Sequence, residues 1–156
     1  MLFVVFQLES DIYAVDAGQV AEVLPMVALK SLPGAGKGVA GVFSYQRQPV
    51  PVLDLSALTL DRPAHPRLST RLLLVHYPTS LTETRLLGLI AEKATETVRL
   101  PTEAFHEAGI KNDGAPYLGP VAEHPRGLLQ WIRVEQLLPA PMREKLFNQA
   151  AEEVSA

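Results

Sequence analysis

The chain has 156 residues, 47% hydrophobic and 20% charged, a composition that places it among globular chains and excludes a disordered one. Its formal charge of -3 provides no basic field to gather phosphates, which argues against nucleic acid as a partner, and with no cysteine it has no disulfide, thiolate metal site or cysteine nucleophile. The apolar opening MLFVVFQL gives way to polar Glu9-Ser10-Asp11, far short of the roughly 20 apolar residues of a membrane span, so the reading is a soluble, cytoplasmic chain with no membrane insertion.

Residues 2–8 and 12–15, rich in Val, Ile, Phe and Tyr, predict two strands that Glu9-Ser10-Asp11 joins into a hairpin. AGQVAEVL at 17–24 places Ala17, Val20, Ala21 and Leu24 at helical spacing, which predicts a short amphipathic helix ended by Pro25. After a Pro/Gly-rich connection, VFSY at 42–45 and PVPVLDL at 49–55 predict strands, the second confined to an edge or a bulge by Pro49 and Pro51. TLDRPAHPRLST at 59–70 reads as a loop. RLLLVHY at 71–77 resumes a strand, and LLGLIAE at 86–92 with TETVRL at 95–100 predict a second hairpin. Residues 101–118 read as a long connection, and the last strands fall near 119–123 and 127–132. VEQLL at 134–138 predicts a helical turn, and 139–156 a helical tail with apolar positions Met142, Leu146 and Phe147. The sum is mainly β: a barrel or sandwich over 1–138, in two barrel-like lobes divided near 59–70, followed by the tail.

The chain is poor in reactive groupings. Gly36-Lys37-Gly38-Val39-Ala40-Gly41 is literally G-x-G-x-x-G, but Ser31-Leu32-Pro33 precedes it and a strand follows. It therefore lacks the strand-to-helix setting that brings phosphate to a helix N-terminus, and reads as a glycine-rich turn. His65, His76, His106 and His124 are scattered without metal-ligand spacing. Asp54 ends an apolar run, where an unpaired charge is costly, and reads as the cap of a turn starting at Leu55. No catalytic residue, cofactor or metal is expected, which favours binding over turnover. Two rivals stand beside that reading: a sensory module taking a small apolar ligand between the lobes, and a small hydrolase using Asp54 with His76.

Taken in order, FQLESDIYAVD at 6–16, VAEVLPM at 20–26, LPGAGKGVAGVF at 32–43, PVPVLDL at 49–55, LLGLIAE at 86–92 and WIRVEQLL at 131–138 resemble the CheW family of chemotaxis coupling proteins. The resemblance spans about residues 3–138. It implies two intertwined five-stranded SH3-like barrels around a hydrophobic groove, and a non-catalytic adaptor in a two-component signalling array. The implied partners are the cytoplasmic tip of a methyl-accepting chemoreceptor and the regulatory domain of a CheA-type histidine kinase. Carried over by position, the receptor-facing residues are Val20, Glu22 and Val23, with Leu137 and Leu138 closing the groove. Apolar pattern alone leaves Val20 and the two leucines open between groove and core. One departure stands out. The family commonly has N-[LY]-R-G before its P-V-[IL]-D-L strand, whereas this chain has Ser44-Tyr45-Gln46-Arg47. Gln46 takes the arginine's place and Arg47 the glycine's, so Arg47 is expected to supply the displaced charge in a turn that is strained if it needs positive φ. The change implies a specialised partner, as in a surface-sensing pathway.

Overall fold

The computed structural model describes residues 1–107 and 114–155. Ten strands form two five-stranded sheets. Strands β1 (Leu2–Leu8), β2 (Asp11–Asp16), β8 (Glu96–Arg99), β9 (Leu118–His124) and β10 (Gly127–Ile132) make the first, in the order β8-β1-β2-β10-β9. Strands β3 (Val20–Pro25), β4 (Val39–Tyr45), β5 (Gln48–Asp54), β6 (Arg71–Pro78) and β7 (Thr84–Ala91) make the second, in the order β3-β6-β7-β5-β4. The second lobe is thus inserted between the two halves of the first, and the chain returns to complete the sheet in which it began. Neither sheet closes through a continuous ladder. Instead a single two-bond bridge spans each opening: Lys30 and Val42 exchange backbone hydrogen bonds of 2.9 and 2.8 Å in the second lobe, and His106 and Val121 exchange two of 2.8 Å in the first.

Strand alternation sorts the apolar residues into three layers. Phe3, Val5, Ile12, Ala14 and Leu129 fill the first lobe, with Phe105 and Trp131 packed against Phe3 at 5.2 and 5.0 Å between ring centroids. Val50, Val52, Leu72, Leu74 and Ile90 fill the second. The intervening residues, among them Val4, Phe6, Val15, Leu73, Val75, Leu87 and Leu89, meet between the lobes in a central layer. Because β1 is buried on both faces, LFVVFQL reads as a continuous apolar run rather than an alternating one.

Four expectations change. The helix predicted over 17–24 is a single 3-10 turn at Ala17–Gln19 followed by β3. β7 and β8 are not a hairpin, since β7 pairs with β5 and β6 while β8 crosses to pair with β1. β5 lies inside its sheet between β7 and β4; Pro49 and Pro51 sit in the half that β7 does not reach, where a missing N–H breaks no ladder bond. The loop near 59–70 does not divide the lobes, because β5 before it and β6 after it belong to one sheet. That loop starts only after a short helix, α1 (Leu55–Leu60). The connection expected over 101–118 falls partly outside the described residues.

The C-terminal segment is helix α2 (Ala140–Ser155), docked on β4 and β5. Leu146, Phe147 and Ala150 enter the central layer, Arg143 Nε donates to Tyr77 OH at 3.0 Å, and Lys30 pairs with Glu153 at 3.1 Å.

Candidate functional site

The exposed edge strand β3 and the β4–β5 hairpin form one surface. Past a register shift between Val20 and Glu22, Ala21, Glu22 and Val23 are all exposed on this edge. Across the sheet opening, the Tyr45 hydroxyl donates a short hydrogen bond to Glu22 Oε2, and Gln46 Nε2 donates to the Tyr45 oxygen at 3.4 Å. The bond to the Glu22 carboxylate raises the Tyr45 pKa above its ordinary value, so the phenol remains a donor. Phe43, half-buried in the second lobe, packs edge-on against Tyr45 with centroids 6.4 Å apart. Val23 and Met26, nearby in the chain, are also exposed.

The turn at the tip holds the departure seen in sequence. Tyr45 pairs with Gln48, so Gln46 and Arg47 form a two-residue loop, with φ of 48° and 68°. Both are left-handed, the geometry that Asn-Gly occupies without strain. Two long polar side chains are held there instead, projecting from the hairpin.

Of the expected receptor-facing residues, Glu22, Gln46 and Arg47 lie on this surface, whereas Val23, next to Glu22 in regular pairing with β6, is exposed on the other face of the sheet. Val20 is half-buried and packs against the central layer. Leu137 and Leu138 are 3% and 2% exposed, so they are core, placed there by the 3-10 turn at Val134–Gln136. With Leu53, Leu58, Tyr117 and Met142 they line a pocket of about 190 Å³. That is below the roughly 300–1,000 Å³ of small-molecule pockets. Among the described residues the space between the lobes is packed with side chains rather than open as the resemblance implies, and α2 covers part of it. Tyr45 and Met26 were not among the expected residues. Tyr45 stands in the altered turn motif, but its reach to Glu22 depends on two edges meeting 23 residues apart in sequence.

The hydrolase pairing is absent. Asp54 Oδ1 accepts from the N–H of Ser56 and Ala57 as the cap of α1, and Oδ2 accepts from Ala64 N at 2.8 Å. Asp54 aligns with Ile90 whereas exposed His76 aligns with Leu86, an offset of four residues or roughly 13 Å along β7, which also lies between their two strands. The glycine run is a turn leading into β4 rather than a helix. Gly41 has a packing reason: a Cβ there would sit 2.4 Å from Lys30 O, inside the bridge that spans the second lobe. Among the described residues no three His, Asp or Glu side chains converge to hold a metal ion, and no helix is long and apolar enough to cross a membrane.

Comparison with known proteins places this geometry. The family model described as CheW-like domain matches residues 2–142. Among solved structures, the scaffolding protein TtCheW from Thermoanaerobacter tengcongensis is similar, with a TM-score of 0.76 over 88% of this chain and 87% of that one, at 20% sequence identity. At that identity the likeness establishes the fold, two five-stranded lobes. No curated protein matches the chain.

Proposed function

The chain belongs to the CheW-like domain family, and from that premise we propose that it is a non-catalytic, cytoplasmic adaptor coupling a chemoreceptor to a CheA-type histidine kinase. Residues 1–138 carry the coupling domain, and the appended helix α2 (Ala140–Ser155) closes its core. The observation that carries the reading is the Glu22–Tyr45–Gln46 line across the β3 and β4–β5 edges. It offers a carboxylate, a phenol and an amide in fixed order on an edge that also exposes Val23 and Met26, which suits the amphipathic helices of a receptor tip. With the inter-lobe space filled, receptor helices lie on this outer face. Arg47 at the hairpin tip supplies the charge that Gln46 lacks, and receptors with an acidic residue opposite that tip are the matching class.

Coupling needs no reaction on this chain. It holds the receptor at one surface and the kinase's regulatory domain at another, and repetition across an array raises the effective concentration of each contact. Glu22→Lys tests the receptor face. Glu22 is exposed, so the variant folds, and it is expected to lose pull-down of the receptor cytoplasmic fragment while its melting temperature stays near wild type. Full retention of pull-down by the folded variant removes this face from the interface.

A further inference from the structure

The two lobes are built to one plan. The sheets β8-β1-β2-β10-β9 and β3-β6-β7-β5-β4 run through antiparallel, antiparallel, parallel and antiparallel pairings in the same order, and the bridges His106–Val121 and Lys30–Val42 span equivalent openings. The equivalence extends to single residues. Across the second sheet the register runs Glu22, Leu74, Gly88, Val52, and Val52 stands four residues past Gln48, where the hairpin closes on Tyr45. Across the first it runs Glu96, Val5, Ala14, Trp131, and Trp131 stands four residues past Gly127, where the hairpin closes on His124. Glu96 therefore occupies the place of Glu22, His124 that of Tyr45, and Arg126 that of Arg47.

The side chains repeat the contact as well. His124 Nδ1 accepts from Arg126 N at 3.1 Å, so the neutral ring carries its proton on Nε2, which lies 3.3 Å from Glu96 Oε1. Arg126 Nη2 donates to Glu96 Oε2 at 2.9 Å. As with Tyr45 and Glu22, the last residue of a hairpin strand reaches a carboxylate on the opposite edge of its sheet. The His124 side chain is 7% exposed, whereas those of Glu96 and Arg126 are 43% and 48% exposed. Exposed ion pairs add little to stability, and a backbone bridge already spans this opening, so closing the lobe explains little of the pair's presence. Both lobes hold out the same two groups: a carboxylate from an edge strand and a guanidinium from the second position of a two-residue turn.

We propose that the Glu96–Arg126 edge of the first lobe is a second receptor contact, taking the same kind of amphipathic helix as the Glu22–Tyr45 edge, so that one chain holds two receptor tips. The occupant follows from the repeated placement. A helix whose basic and acidic residues meet Glu22 and Arg47 meets Glu96 and Arg126 in the same register positions. With His124 buried, this edge presents fewer groups than the other and is the weaker contact. It acts through the effective concentration that neighbouring receptor tips create once the stronger edge is engaged. The inference rests on the receptor reading and extends it from holding one tip to joining two.

The test immobilises the full chain sparsely and reads saturating capacity for the receptor cytoplasmic fragment by biolayer interferometry. Wild-type capacity is expected to be about twice that of either Glu96→Lys or Glu22→Lys, and the double variant is expected to bind nothing, with melting temperatures unchanged. The weaker contact washes off in a pull-down, so pull-down reports the Glu22 edge and saturation reveals both. Arg126→Ser, which removes only a half-exposed guanidinium, is expected to weaken the second binding phase several-fold and leave the first at its wild-type value. Full wild-type capacity in Glu96→Lys overturns the inference, as does complete loss of binding in that variant. A lowered melting temperature with unchanged receptor binding in Arg126→Ser also overturns it, because the edge is then only structural. If the unaltered chain binds no receptor fragment, the receptor reading itself fails, whereas a single saturable site removed by Glu22→Lys alone leaves that reading standing and ends this one.

Discussion

Replacing Arg47 by glycine separates the cost of the hairpin tip from its use. Arg47 has φ 68°, and an L-residue in that region is strained by about 1–2 kcal/mol relative to glycine. Glycine's extra freedom in the unfolded chain takes back about 0.5–1 kcal/mol. The net expectation for Arg47→Gly is a gain of about 0.5–1 kcal/mol. For a chain of this length, where each kcal/mol moves the melting temperature about 2–4 °C, that is a rise of about 1–4 °C. The same substitution removes the guanidinium from the proposed receptor face, so affinity for the receptor fragment is expected to fall several-fold. Differential scanning calorimetry reads the first effect and a binding titration the second, and the opposite signs are the diagnostic. A lower melting temperature refutes the strain argument, and unchanged affinity removes Arg47 from the contact surface.

Burial alone would raise the Glu92 pKa, but the Ser56 hydroxyl, the His65 N–H and the Arg62 guanidinium outweigh it and hold the carboxyl below its ordinary range. Its contribution to stability is therefore complete above the unfolded value of about 4.3 and is lost as pH falls through the lower folded value. Glu92→Gln is expected to destabilise by about 1–3 kcal/mol at neutral pH, with the gap in melting temperature to wild type narrowing below about pH 4; a gap that stays constant to pH 2 contradicts the assignment. Phe147→Ala, which empties a buried site against Tyr77, is expected to cost about 3–5 kcal/mol by urea denaturation. A cost under about 1 kcal/mol would mean that α2 is not part of the core. Gly41→Ala forces a methyl against Lys30 O and is expected to destabilise by about 1–3 kcal/mol, with faster hydrogen exchange at Val42; protection equal to wild type argues against the bridge.

Most strands were legible because their apolar runs are short and bounded by turn residues, and the cap at Asp54 followed from its place after PVPVL. The misreadings have physical causes. β3 reads as a helix in sequence because Ala17, Val20, Ala21 and Leu24 stand at helical spacing, while the register shift between Val20 and Glu22 and the exposed apolar Ala21 and Val23 hide the two-residue alternation. β8 follows β7 closely, and nothing local reveals that it crosses to the other lobe. Gln46 and Arg47 stand out in sequence as an altered turn motif, and their positive φ follows once Tyr45 pairs with Gln48. Leu137 and Leu138 were ambiguous in sequence, since a residue closing a groove and one filling it have the same composition.

The most direct measurement immobilises the receptor cytoplasmic fragment and follows retention of the CheA-type kinase regulatory domain as this chain is added. A bridging adaptor makes retention rise from baseline, then fall once the chain exceeds both partners and occupies each separately. Retention that is the same with and without the chain contradicts the coupling role.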